Sequence, residues 1–118
     1  VNTHPMIPLD RSGFEARNRQ LASIAAIVAA VQGSVVLSGD FNTSMWSPAY
    51  QELEEVTGLR NARQGAGILP TWPTFMPFAM IPIDHILVSD EISIIKIRTG
   101  ARLGSDHVPL ILDFSVGP

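Results

Sequence analysis

Val35-Val36-Leu37-Ser38-Gly39-Asp40-Phe41-Asn42 is the stretch on which the reading of this chain turns. Its first half is a β-branched and aliphatic run of the kind that forms a buried strand. Its second half is a tight polar turn bearing a carboxylate and a carboxamide two positions apart. Gly39 lets the backbone turn there without steric cost. In open α/β sheets ligands collect at the carboxyl ends of strands, which makes Asp40 and Asn42 candidate site residues. An Asx turn closing a strand is the plain alternative for the pair taken alone.

Working outward, Ser12-Gly13-Phe14-Glu15 has the form of a capping box and predicts a helix starting there. Leu21, Ile24, Ile27, Val28 and Val31 recur at helical spacing, and Gly33 stands where a left-handed cap is expected. That helix joins the Val35 strand to an earlier strand at the start of the chain, so the two strands are expected to be parallel or near neighbours. The earlier strand ends at Thr3-His4-Pro5, where the proline holds His4 extended. Beyond Asn42, Ser47 and Pro48 predict a helix to Thr57 that stops at Gly58. Its Glu52, Glu54 and Glu55 are a solvated face rather than metal ligands.

The stretch from Asn61 to Pro82 interleaves glycines and prolines with Trp72, Phe75 and Phe78, and is expected to be an ordered loop. It reads equally as a rim over a pocket, with Trp72 as a stacking surface, or as a loop settled on its own aromatics. Ile83 to Ser89 is a buried strand with Asp84 near its start, and Ile92 to Arg98 is a second strand expected to form a hairpin with it. The last strand, Val108 to Val116, alternates apolar residues on one face and is expected to be half-buried or central. Gly104-Ser105-Asp106-His107 stands immediately before it.

At 118 residues the chain makes one domain at most. It contains no cysteine, which excludes disulfides and thiolate metal sites. No apolar run reaches membrane-spanning length and nothing resembles a signal peptide. The chain does not begin with Met, and the expectation is a piece of a longer protein. Charged residues make up 16%, against roughly 25% in ordinary domains, and mean hydropathy is +0.22. Some apolar surface is therefore expected to lie against something else. A net charge of −3 and scattered arginines argue against a broad basic footprint for nucleic acid.

Four strand boundaries carry polar chemistry: His4, Asp40 with Asn42, Asp84, and Asp106 with His107. Burying such groups unpaired is expensive, so they are expected to satisfy one another. Three carboxylates, an amide and two histidines suit a hard cation such as Mg2+ better than Zn2+. His85 is taken as structural.

The motifs Thr3-His4-Pro5, Gly39-Asp40-Phe41-Asn42, Ile83-Asp84-His85-Ile86 and Gly104-Ser105-Asp106-His107-Val108-Pro109 resemble the ordered signatures of the endonuclease/exonuclease/phosphatase superfamily, the group of DNase I and the abasic-site endonucleases. The resemblance runs over essentially the whole chain but only the C-terminal half of the family domain. It implies an α/β fold: the C-terminal half of a DNase I-like four-layer α/β sandwich, with one mixed β-sheet and flanking helices, residues 1–118 forming a single partial domain. It further implies hydrolysis of phosphodiesters or phosphomonoesters with Mg2+ (or Mn2+). Asp40 would position or deprotonate the attacking water, and Asn42 would help hold water and phosphate. His107, oriented by Asp84, would bind the phosphate, Asp106 and Asp40 would lie at the metal, and His4 would be a phosphate ligand or proton donor.

The family's remaining metal ligands, an Asn and a Glu, lie in the other half. The isolated chain is accordingly expected to be inactive and to self-associate through its exposed sheet face. A catalytically dead binding or scaffold module of the same fold is the rival. Substrates in the family include nucleic acids, phospholipid headgroups and nucleotides, and the loop at 61–82 is expected to choose among them. The loop is most like that of bacterial members, some with membrane segments upstream; the residues themselves indicate no cellular location.

Overall fold

The computed structural model describes residues 1–117. Along the described residues run β1 (Asn2–Thr3), α1 (Arg11–Ala29), β2 (Val36–Asp40), α2 (Pro48–Thr57), β3 (Arg60–Asn61), a short 3-10 helix (Pro77–Ala79), β4 (Asp84–Val88), β5 (Ile92–Thr99) and β6 (Leu110–Val116). The α/β class expected from the sequence holds.

Helix α1 starts earlier than the Ser12 capping box implies. Asp10 is the N-cap, its carboxylate accepting from the Gly13 N–H at 2.7 Å. An aspartate is as good a cap as a serine, and this one reaches the free donors first. The helix ends at Ala29, before Gly33, which bends the following turn at φ +91°. Its buried stripe is Gly13, Arg17, Leu21, Ala25 and Val28. Helix α2 follows its sequence signals at both ends: Ser47 Oγ accepts from the Tyr50 N–H, and Gly58 closes it at φ +68°.

The strands divide between a four-stranded sheet, ordered β1-β2-β4-β3, and a two-stranded ribbon of β5 and β6. β1 runs parallel to β2, as the helical crossover predicts, while β4 is antiparallel to both β2 and β3. The hairpin expected between β4 and β5 does not form. Both edges of β4 are occupied by β2 and β3, so β5 turns away at Ser89 and pairs with β6 from Ile92↔Val116 to Thr99↔Leu110. The last strand is likewise not central: it has one partner strand, and Phe114 and Val116 are 42% and 55% exposed.

Both helices cover one face of the larger sheet. Leu37 and Leu87 lie opposite each other in register, fully buried under Leu21, Ala25 and Val28 of α1 and Tyr50 and Leu53 of α2. Each such leucine contributes roughly 1.5–3 kcal/mol by leaving water. This packing fixes the β2/β4 register, because a slip of one residue would turn the leucines to the other face.

Candidate active site

The register that buries Leu37 against Leu87 also sets Asp40 directly across from Asp84, and the parallel pairing of Thr3 with Gly39 brings His4 alongside. Three strand ends therefore meet at one edge of the sheet. Gly39 permits the close approach: a Cβ there would lie 1.8 Å from the Thr3 carbonyl oxygen.

The turn after β2 is held from several directions. Asp40 Oδ1 accepts from the Asn42 N–H at 2.8 Å, closing an Asx turn in which Asn42 adopts φ +50°. Asn42 Nδ2 donates to the Pro5 carbonyl at 2.7 Å, tying the turn to the segment after His4. This commitment takes one of the two amide donors of Asn42 and leaves the other and the side-chain oxygen uncommitted. Below the turn, the buried Arg17 guanidinium lies over the Phe14 ring and donates to the Asn42 carbonyl at 3.0 Å.

His107 is fixed by Asp84. Its Nδ1 lies 2.7 Å from Asp84 Oδ2, so Nδ1 carries the proton toward the carboxylate and Nε2 faces the cleft. That Nε2 is 3.7 Å from Asp40 Oδ2 and 4.0 Å from Asp106 Oδ1, while His4 Nε2 is 3.5 Å from Asp40 Oδ2. These separations exceed a hydrogen bond. Asp84 with His107, and Asp40 with the Asn42 N–H, satisfy one another as expected, while His4 and His107 stand within ion-pair distance of Asp40. Asp106 is steadied on its other oxygen by the Trp72 indole N–H at 3.1 Å, and the Trp72 ring centroid lies 6.4 Å from that of His107.

His4, Asp40, Asn42, Trp72, Asp106 and His107 line one cleft of about 450 Å3. Asp84 stands behind His107. The loop at 61–82 is the ordered rim, pinned where Trp72 and Ile81 bridge and where the Thr74 N–H donates to the Asp106 carbonyl at 2.9 Å. A second cleft of similar volume, between Met45, Trp46 and Arg60, gathers no such set of acids and histidines.

Burial pushes the Asp40 carboxyl above its ordinary range, and the Asp84 charge adds to the rise; the Asn42 N–H and the two histidines oppose it. Asp40, Asp84 and His107 present ligand atoms within 4.8 Å of one another. In that set Asp84 Oδ2 and His107 Nδ1 already engage each other, and Asp40 Oδ1 is taken by the Asn42 N–H; Asp106 lies outside it. Two carboxylate oxygens in such a set fit a hard divalent cation, as a partial rather than a complete shell.

Sequence reading passed over the residues beneath the site. His85, taken as structural, is 1% exposed; its Nε2 donates to the Thr43 carbonyl at 2.7 Å, and its Nδ1 accepts from Arg63 at 3.2 Å. Arg63 is 3% exposed and also donates to the Asp84 carbonyl at 2.6 Å. Arg17 had a readable signal, since it falls one helical repeat before Leu21 on the apolar stripe. Arg63 had none, sitting in an aperiodic loop.

Comparison with known proteins follows the same lines. A family model described as the Endonuclease/Exonuclease/phosphatase family matches residues 3–107. No curated protein matches the chain. Among solved structures, an endonuclease/exonuclease/phosphatase from Bacteroides vulgatus superposes with a TM-score of 0.73 at 24% identity, covering 86% of this chain and 44% of its own. The mannosyl-6-phosphatase of Bacteroides thetaiotaomicron gives 0.66 at 19% identity, over 97% of this chain and 49% of its own. The human Nocturnin catalytic domain, solved with a bound sulfate anion, gives 0.71 at 18% identity, over 98% of this chain and 46% of its own. The chain thus spans about half the length of these structures.

Proposed function

The chain belongs to the endonuclease/exonuclease/phosphatase family, and from that membership we propose that it is the C-terminal half of the catalytic domain of a phosphoesterase that works with Mg2+ or Mn2+. The observation that carries this reading is the convergence of Asp40, His4 and His107 on one point, with Asp84 fixing His107 from behind. Hydrolysis needs a water placed in line, neutralisation of the phosphoryl charge and protonation of the leaving oxygen. Asp40 Oδ2 accepts the proton of that water as its oxygen bonds to phosphorus. A carboxyl whose affinity for protons is raised by burial is the better base for the task. Asn42 supplies an acceptor that orients the water. His107, with both ring nitrogens protonated, donates from Nε2–H to a phosphoryl oxygen while Nδ1–H stays on Asp84. As the ester P–O bond breaks, His4, the more exposed histidine, gives a proton to the departing oxygen.

A divalent cation held by Asp40 and Asp106, its shell completed by residues outside these 118, would supply charge neutralisation at the phosphoryl oxygens. Trp72 is a wall for the group carried by the phosphate. The sulfate in the related Nocturnin domain is a tetrahedral oxyanion, the shape such a site would take.

The test is hydrolysis of bis(p-nitrophenyl) phosphate by the full-length protein with Mg2+. Asp40→Asn and His107→Gln are expected to lower kcat by about 100- to 10,000-fold. No hydrolysis by the wild type would leave only a binding module of this fold, and unchanged rates in both variants would overturn the roles given to Asp40 and His107.

A further inference from the structure

The Asp84–His107 pair spans two strands that do not meet. Asp84 opens β4, whose edges are taken by β2 and β3, and His107 stands on the loop leading into β6, whose one partner strand is β5. A ring nitrogen kept 2.7 Å from a carboxylate oxygen requires the two backbones to be fixed relative to each other, and no ladder among the described residues joins them.

The rim loop supplies the missing tie. Thr71 is wholly buried and lies between the two backbones. Its hydroxyl accepts from the Asp84 N–H at 3.3 Å, its carbonyl accepts from the Val108 N–H at 2.9 Å, and its own N–H donates to the Ile81 carbonyl at 3.0 Å. One residue therefore holds both the acid and the immediate neighbour of the histidine. Thr74 takes the same loop a little earlier, with its N–H on the Asp106 carbonyl at 2.9 Å and its hydroxyl on the Ser105 carbonyl at 3.0 Å. Buried Arg63 joins the rim to β4 a second time, donating to the carbonyls of Leu69 at 3.1 Å and Asp84 at 2.6 Å. Burying a hydroxyl is costly unless it is hydrogen-bonded. A residue that only had to fill this space would be served by valine, so the bond to Asp84 is what the threonine adds.

We propose that Thr71 is a positioning residue: through its hydroxyl on Asp84 and its carbonyl on Val108, it sets the separation at which Asp84 holds His107. It acts through the pair, so losing the hydroxyl changes how the pair is aligned and not what the cleft binds. Trp72, the next residue, is a wall of the cleft, and the segment that meets the group carried by the phosphate is thus also the spacer of the pair. The part Thr71 plays in hydrolysis rests on the phosphoesterase reading; its hold on the pair does not.

The experiment compares Thr71→Val, which keeps the shape and removes the hydroxyl, with Thr71→Ser, which keeps the hydroxyl, in the full-length protein with Mg2+. The proton resonance of His107 Nδ1–H reports the pair, and hydrolysis of bis(p-nitrophenyl) phosphate reports its use. Thr71→Val is expected to shift or broaden that resonance and to lower kcat by about 10- to 100-fold, with KM changed by less than about twofold. Thr71→Ser is expected to keep the resonance and to restore most of the rate. Circular dichroism checks the fold, and Thr71→Ala replaces the valine variant in the comparison if that one does not fold. A wild-type resonance and kcat without the hydroxyl, equal losses with and without it, or a rise in KM alone would each overturn the inference. Absence of hydrolysis by the wild type overturns the phosphoesterase reading, and the resonance in the same variants then decides for or against Thr71 by itself.

Discussion

Asp40 is held where its charge is poorly hydrated and where Asp84 faces it across the sheet, and both raise its affinity for protons. A carboxyl whose folded pKa is raised contributes stability that is complete below its unfolded value and lost as pH rises through the folded one. At neutral pH the charged side chain therefore subtracts from stability. Asp40→Asn keeps the Oδ1 acceptor for the Asn42 N–H and discards the charge, so its Tm is expected to rise by a few degrees as hydrolysis falls. A lower Tm in the calorimeter would contradict this. His85 works in the other direction: burial, with the neighbouring Arg63 charge assisting, lowers its pKa to about 4. Its contribution is complete above about pH 6.5. It is lost as pH falls toward 4, where the imidazole must take up a proton among Phe41, Tyr50 and Arg63. Urea melts from pH 7 to 4 are expected to lose roughly 3 kcal/mol of stability by this route, and His85→Gln to flatten that part of the slope. At this scale the ionisable groups lining the cleft were legible, because Asp and His at the ends of apolar strands have little structural use. Arg63 was not: its partners are backbone carbonyls and a histidine distant in sequence, which no local pattern encodes.

Elements were legible where one short signal decides them. The serine, proline and glycine bounding α2 did so, whereas the choice between Asp10 and Ser12 as the cap of α1 turned on which side chain reached the free donors. The β4–β5 hairpin was misread because adjacency in sequence says nothing of edges already taken, and β4 has both occupied. Gly39 is the strictest requirement of any element. An alanine there would drive its Cβ into the Thr3 carbonyl, at a backbone φ of +146° that side chains rarely adopt. Gly39→Ala is expected to separate β1 from β2 and cost several kcal/mol, read as a large drop in Tm. Gly65→Ala, with nothing within 4 Å, should lose only about 1–2 kcal/mol to its left-handed backbone. Equal losses would show that the close approach of β1 is not what Gly39 provides.

For the molecule as a whole, the high mean hydropathy reappears as apolar surface. Ile95, Leu103, Phe114 and Val116, on the β5–β6 ribbon and its connecting loop, are 69%, 78%, 42% and 55% exposed. The 118-residue chain is expected to self-associate through this ribbon. Sedimentation velocity should show mass rising with concentration for wild type and a smaller species for Ile95→Lys, while a monomer at all concentrations would refute the association. No described helix is long and apolar enough to cross a membrane. The alignment of β2 with β4 has a consequence for the order in which the chain acquires its parts. His4, Asp40, Asp84 and His107 come from the start, middle and end of the sequence, and they meet only once the strands between them have paired. Contacts that close such long loops belong to late stages of folding. A partly melted chain would therefore hold these four side chains apart, and, on the proposed function, hydrolytic competence would be a certificate that the sheet has been completed.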